Sequence, residues 1–146
     1  MPIGLTDSEL VRRVALAAVL GGLLGAEREL RHKSAGFRTN ILIAIGAALF
    51  TILSIGVASG GADPGRIAAQ IVTGIGFLGA GAIIRTRSGV HGLTTAATVW
   101  VNAALGMAAG SGEYHLAIIG ALTTLAVLFI LSPIERSIER RTGRER

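Results

Sequence analysis

Charge along this chain is confined to short islands, and the stretches between them are long and apolar. A bilayer core is about 30 Å thick and takes about 20 apolar helical residues to cross. Four charge-free runs meet or approach that length, at residues 39–62, 67–84, 92–112 and 116–134. A fifth, residues 14–26, is shorter. It reaches a workable length by including Leu10 and Val11 while Arg12 and Arg13 snorkel to the headgroups. The pattern predicts an all-α membrane protein: a bundle of five transmembrane helices over residues 1–132, then a short basic amphipathic interfacial helix over 133–146. The alternative for the first run is a helix lying in the interface. A cleaved signal peptide does not fit, because Asp7 and Glu9 precede the run and Glu27-Arg28-Glu29 follows it.

Local punctuation supports these boundaries. Thr6-Asp7-Ser8-Glu9 reads as a capping box opening the first helix. Asp63 reads as an N-cap with Pro64 at the first helical position. Ser132-Pro133-Ile134-Glu135 repeats that logic and predicts a new helix start for the tail. No internal repeat or soluble linker is visible.

Five spans place the 27–38 loop, the 85–91 loop and the C-terminus on one side, with eleven of the 14 Lys and Arg residues. The other side holds Arg12, Arg13 and Arg66. The positive-inside rule then predicts a cytoplasmic C-terminus and an external N-terminus. A four-span arrangement would bring the N-terminus inside as well.

Composition agrees. Hydrophobic residues make up 51% of the chain and charged residues 16%, against about 25% charged in a soluble domain. Without cysteine there is no disulfide, thiolate nucleophile or Cys-ligated zinc. A net charge of +5 would suggest nucleic acid in a soluble protein. Here the cations flank apolar runs, so the expected partner is the bilayer and no nucleic acid.

Gly74-Ile75-Gly76-Phe77-Leu78-Gly79 matches the G-x-G-x-x-G of dinucleotide loops. That reading needs a preceding strand and an acidic residue about 20 positions later, and between Pro64 and Gly112 there is no Asp or Glu. The packing reading uses more residues. Ala69, Thr73, Gly76 and Ala80 fall on one helical stripe, and Gly74 and Gly81 form a second row. In lipid, helix association depends on close backbone approach, so small residues mark contact faces. Gly21 and Gly25 offer a G-x-x-x-G on the first helix as a partner face.

Two readings also apply to the charged islands. Glu27 and Arg28 close the first helix, and they read either as a solvated helix end or as a paired carboxylate. In the second case Arg38, which opens the second helix beside Thr39, or Arg85, which closes the third, would supply the cation. On the outer side Arg66 and Gln70, four apart, read as an anchored helix start or as a polar entrance. Thr94, Thr98 and Asn102 line one helical face, either as interhelical hydrogen-bonding glue or as the wall of a hydrated path, with Trp100 projecting elsewhere. No Asp, Glu or His lies mid-span, so a passing Mg²⁺ would depend on neutral oxygens and on Asp63 or Glu113 at the mouth. His32, His91 and His115 have neither metal spacing nor a nucleophile signature. The expectation is a protein that is not an enzyme and carries no cofactor.

Five ordered blocks resemble the MgtC/SapB family: Gly25-Ala26-Glu27-Arg28-Glu29; Ala35-Gly36-Phe37-Arg38-Thr39; Asp63-Pro64-Gly65-Arg66-Ile67-Ala68-Ala69-Gln70; residues 74–83; and Gly92-Leu93-Thr94-Thr95-Ala96-Ala97 with Trp100. The resemblance runs from about Leu10 to Ile130. It implies a bacterial inner-membrane protein with five transmembrane helices. It also implies a role in adaptation to low Mg²⁺ and survival inside phagocytes, with inhibition of the membrane sector of the ATP synthase. The family has also been labelled a group of magnesium transporters. Its virulence members carry a soluble C-terminal domain. This sequence stops at Arg146, so the expectation here is the membrane domain alone. Two functions follow as expectations: a membrane regulator acting by helix–helix association, as a homo-oligomer or with another membrane protein, or an oligomeric transporter of Mg²⁺ or another cation.

Overall fold

The computed structural model describes residues 4–58, 63, 65–87 and 89–142, with backbone alone for 133–142. Its elements are α1 (Asp7–Leu30), α2 (Phe37–Ala58), α3 (Gly65–Gly81), β1 (Ile84–Thr86), β2 (Gly89–His91), α4 (Leu93–Ser111) and α5 (Tyr114–Thr142). Two of the five helices are long and apolar enough to cross a membrane, α2 and residues 114–132 of α5. The others fall short on that measure: α3 has only 17 residues, α1 carries charge near both ends, and Thr and Asn interrupt α4.

Two helix starts form as their sequences dictate. Thr6 caps α1, its hydroxyl accepting from Glu9 N at 3.3 Å, and Asp63 caps α3, its carboxylate accepting from Gly65 N at 2.8 Å. Pro64 lies outside the described residues. Both α1 and α4 end in Schellman turns. In α4 the left-handed position is Gly112 (φ 89°), with Glu113 N donating to Ala108 O. In α1 that position is His32 (φ 54°), with Lys33 N donating to Arg28 O.

The helices alternate in direction, and α4 packs against all four others. The core is made mostly of small residues. Ala17, Ala44, Ala48, Ala109 and Ala117 are fully buried, joined by Leu20, Leu24 and Leu105. A second cluster of Ala35, Ala47, Ile75, Val99 and Ala103 attaches α3. Alanine and glycine let backbones approach closely, and many of the larger side chains point outward. Leu42, Phe77, Leu116 and Leu122 are all more than half exposed.

Two expected boundaries change. Helix α3 ends at Gly81, before Ile84, because Ala82 N and Ile83 N tighten onto carbonyls three residues back. The chain then forms an antiparallel hairpin, pairing Ile84 with His91, Arg85 with Val90 and Thr86 with Gly89. Its strands are three residues each and exposed throughout, too short to show alternation. Arg85 therefore stands on a strand and does not close the third helix. The expected fresh helix start at Ser132-Pro133 is replaced by continuous helix from Tyr114 to Thr142. Proline removes one N–H from the ladder, but its fixed φ is helical. The expected run of the second helix to residue 62 enters positions outside the described residues; α2 spans Phe37–Ala58.

Candidate functional site

The interior is organised by a seam between α2 and α4, which run parallel and meet in three rungs. At the first, Asn102 Nδ2 donates to Asn40 O at 2.7 Å and to Asn40 Oδ1 at 3.1 Å. Asn40 Nδ2 in turn donates to Ala35 O and Gly36 O at 2.8 and 2.9 Å. Both asparagines are fully buried. At the next rungs Gly106 faces Ala44 O and Gly110 faces Ala48 O, so close that a Cβ on either glycine would strike backbone. The spacing of four on both helices keeps the rungs in register. Helix α1 joins the same seam: a Cβ on Gly21 would lie 2.6 Å from Asn40 O, and one on Gly25 would lie 2.8 Å from Phe37 Cα.

At the end formed by the α1 C-terminus, the α2 N-terminus, the hairpin and the α4 N-terminus lies an ionic cluster. Glu27 and Arg28 are each 3% exposed. Arg28 Nη1 donates to Glu27 Oε2 at 3.4 Å, and Arg31 Nε lies 2.5 Å from Glu27 Oε1. Arg31 also donates to Ser132 Oγ on α5 and stacks 5.3 Å above the Phe129 ring. Glu29 caps α2, its carboxylate accepting from Phe37 N at 3.1 Å. Beside the cluster opens a cavity of about 510 Å³, lined on its polar side by Arg28, Arg31, His32, Lys33, His91 and Thr94.

The opposite end carries a second network. Glu9 takes Arg12 Nη2 at 2.9 Å, Arg13 Nε at 3.0 Å and the Tyr114 hydroxyl. Arg13 also donates to Gly110 O at 2.8 Å, tying α1 to the end of the seam. The Tyr114 hydrogen bond, then the Arg13 hydrogen bond and the charges of Arg12 and Arg13, hold the Glu9 carboxyl below its ordinary value.

The structure regroups the residues singled out from sequence. Glu27 is paired and buried, but its cations are Arg28 and Arg31 of its own helix. Arg38 and Arg85 are exposed and make no ion pair among the described residues. Gly21 and Gly25 are contact glycines, but they face α2 and not α3. The α3 stripe is open. Thr73, Gly74, Gly76, Ala80 and Gly81 are exposed, and a Cβ on Gly74, Gly76 or Gly81 would meet nothing within 4 Å. Helix α3 instead buries Ile75 and Gly79, the intervening face.

On α4, Thr98 and Asn102 are buried while Thr94 faces the basic cavity; Thr98 donates to Thr94 O at 2.8 Å. Arg66, Gln70, Asp63 and Glu113 are exposed, and Thr39 and Gln70 border an apolar groove of about 550 Å³ between α2 and α3. Among the described residues no three His, Cys, Asp or Glu converge as a metal set. Sequence reasoning missed Asn40, Arg31, Tyr114 and the Gly106/Gly110 pair. That pair had a readable signal, a G-x-x-x-G on α4.

Residues 14–137 match the MgtC family. The chain is 49% identical over 128 residues to YhiD of Escherichia coli K12, whose name provisionally makes it a magnesium transporter. That alignment covers 83% of this chain and 60% of YhiD. It is 48% identical over 126 residues to the protein MgtC of Brucella abortus, covering 86% of this chain and 52% of that one. Identity to MgtC of Salmonella typhimurium is 45% over 124 residues, covering 85% and 53%. The chain thus spans little more than half the length of these relatives. No solved structure matches it.

Proposed function

The chain belongs to the MgtC family, and from that premise we propose that it is a non-catalytic bacterial inner-membrane protein of Mg²⁺ homeostasis or low-Mg²⁺ adaptation, acting by helix–helix association. The observation that carries this reading is the open face of α3. Gly21 and Gly25 of α1, Gly106 and Gly110 of α4 and Gly120 of α5 meet backbone or side chains, whereas Gly74, Gly76 and Gly81 face empty space beside the apolar α2–α3 groove, as does Gly46 on the α2 side of that groove. In lipid such a face has value as a contact for another helix. A second copy of the chain is the first candidate partner, and another membrane protein, such as the ATP synthase membrane sector, is the second. The six cations at the Glu27–Arg38 and hairpin end, against three at the other, support a cytoplasmic location for that end and for the C-terminus, with the N-terminus outside.

The alternative is an oligomeric transporter of Mg²⁺ or another cation, favoured by the name given to YhiD. Within one chain the seam leaves little room for it, since Asn102 is locked onto Asn40 and the rungs above it are closed by carbonyl contacts. Purified protein in liposomes with an internal Mg²⁺-sensitive dye separates the two. The regulator reading expects no uptake above protein-free liposomes. Saturable uptake that is lost on changing Asp63 or Asn102 would sink it in favour of transport.

A further inference from the structure

We propose that the basic cavity at the α4 N-terminus is a binding site for a phosphate group, whether of a free phosphate or of a lipid headgroup. Two independent observations converge there. The first is an uncapped helix start. Gly92 (φ 87°) is the N-cap of α4 and has no side chain to offer, and the first intrahelical bond is Ala96 N to Gly92 O. The N–H groups of Leu93, Thr94 and Thr95 precede that bond, and all three residues line the cavity. Backbone donors with the positive end of the helix dipole behind them form an anion seat.

The second observation is Arg28. It is 3% exposed, lines the same cavity, and its Nε is a buried donor with no hydrogen-bond partner. A guanidinium taken out of water with a donor left free is costly unless something accepts from it. Glu27 accepts from Nη1, and Nε has no acceptor within the chain.

Charge and shape fit an oxyanion. The cavity wall carries Arg28, Arg31 and Lys33, with His32 and His91 beside them and no carboxylate among its lining residues, and Glu27 is paired with Arg28 and Arg31. The net balance at the site is therefore positive. The Schellman turn at His32 reverses the chain just after Arg31 and brings Lys33 onto the same wall. A planar fork from Arg and a row of N–H donors are the chemistry that recognises phosphate. Val90, Leu93, Val127 and Leu128 close the remaining side with apolar surface. That surface would dry a bound phosphate or shelter the first methylenes of a lipid.

The test uses the full chain purified in non-ionic detergent, with binding read by calorimetry and by thermal unfolding. Sodium phosphate is titrated against sodium chloride at equal ionic strength. In a parallel arm, dioleoyl phosphatidylglycerol and uncharged dioleoylglycerol are added to the micelles. Arg28→Gln risks misfolding, so the informative variants are Lys33→Gln, at an exposed position, and Thr94→Asp, which places a carboxylate on the helix start. Saturable stabilisation by phosphate, weakened at least five-fold by Lys33→Gln and abolished by Thr94→Asp, identifies a free phosphate source. The same pattern seen with phosphatidylglycerol alone identifies a lipid source. Binding of neither probe, or binding that both variants leave unchanged, overturns the proposal.

Discussion

The side-chain amide of Asn102 is bound to both oxygens of Asn40, at 2.7 Å to the backbone carbonyl and 3.1 Å to the side chain, with no water-exposed surface on either residue. Both Asn40 atoms are acceptors, so the donor end of Asn102 must face them. Asn102→Ala leaves two buried acceptors without that donor and is expected to destabilise the fold by about 1–3 kcal/mol. Asn102→Asp should cost more, because a carboxylate offers no donor and sets charge against two oxygens. Unfolding of the three proteins in detergent checks the order. Equal stability of Asn102→Asp and wild type would refute the latch.

The glycines of the seam and those of α3 should respond in opposite ways. Gly106→Leu and Gly110→Leu force a side chain into the α2 backbone, and a loss of about 1–3 kcal/mol or more is expected. At Gly76 a Cβ would meet nothing, so Gly76→Leu should not lower monomer stability, and the helix propensity gained over glycine should raise it by up to ~1 kcal/mol. In membranes the same Gly76→Leu change should weaken a crosslinked dimer. A dimer that crosslinks as before removes the α3 face from the association model.

Replacing Glu27 tests which cations it serves. Glu27→Gln strands Arg28 and Arg31 near one another, and a loss of about 3 kcal/mol is expected. Arg31→Gln should follow in the same direction, since it also breaks the contacts to Ser132 and Phe129. Arg38→Gln and Arg85→Gln should stay within about 0.5 kcal/mol. A large effect from either of those two would restore the cross-helix pairing expected from sequence.

The Glu9 network gives the protein an acid-sensitive end. Its carboxyl is held below the ordinary value of 4.5 in the folded state. The stability it lends is therefore fully present above that ordinary value, and it is lost as pH falls through the depressed folded-state value. Tyr114→Phe removes the largest cause of the depression. It should narrow this acid-sensitive window and lower the stability lost across it, and Glu9→Gln should remove the component altogether. Thermal unfolding from pH 7 down to pH 2 in detergent reads both. An acid profile identical in all three proteins would exclude Glu9 as its source.

His32 occupies a left-handed backbone position that glycine takes at the equivalent turn of α4. His32→Gly should relieve this strain and raise stability by up to ~1 kcal/mol, measured by the same unfolding assay. No gain would mean that the His32 side chain makes up for its backbone.

How much of this was legible depended on the range of the interaction. Capping by Thr6 and Asp63 was readable, because a side-chain oxygen and an N–H two or three residues away need only local geometry. The number and rough limits of the helices were readable from charge-free runs, and the family from ordered blocks. The hairpin was not, since three-residue exposed strands between charged residues leave no periodic trace. Pairing of Glu27 was one of two readings open from sequence, and the position of its partner on the same helix depends on how α5 holds Arg31 from outside.

Small residues show the division most clearly. Sequence by itself determined that glycine and alanine recur at helical spacing on α1, α3 and α4, and hence that backbones can approach there. Only the tertiary structure decided that α1 and α4 use theirs against α2 while α3 packs Gly79 against α4 and leaves Gly74, Gly76 and Gly81 open. The physical reason is that a glycine has no side chain to specify a partner. It permits contact without selecting it, and the selection comes from the neighbouring residues: Asn102 reaching Asn40, Glu29 capping Phe37, and Ile75 entering the Ala47–Val99–Ala103 pocket.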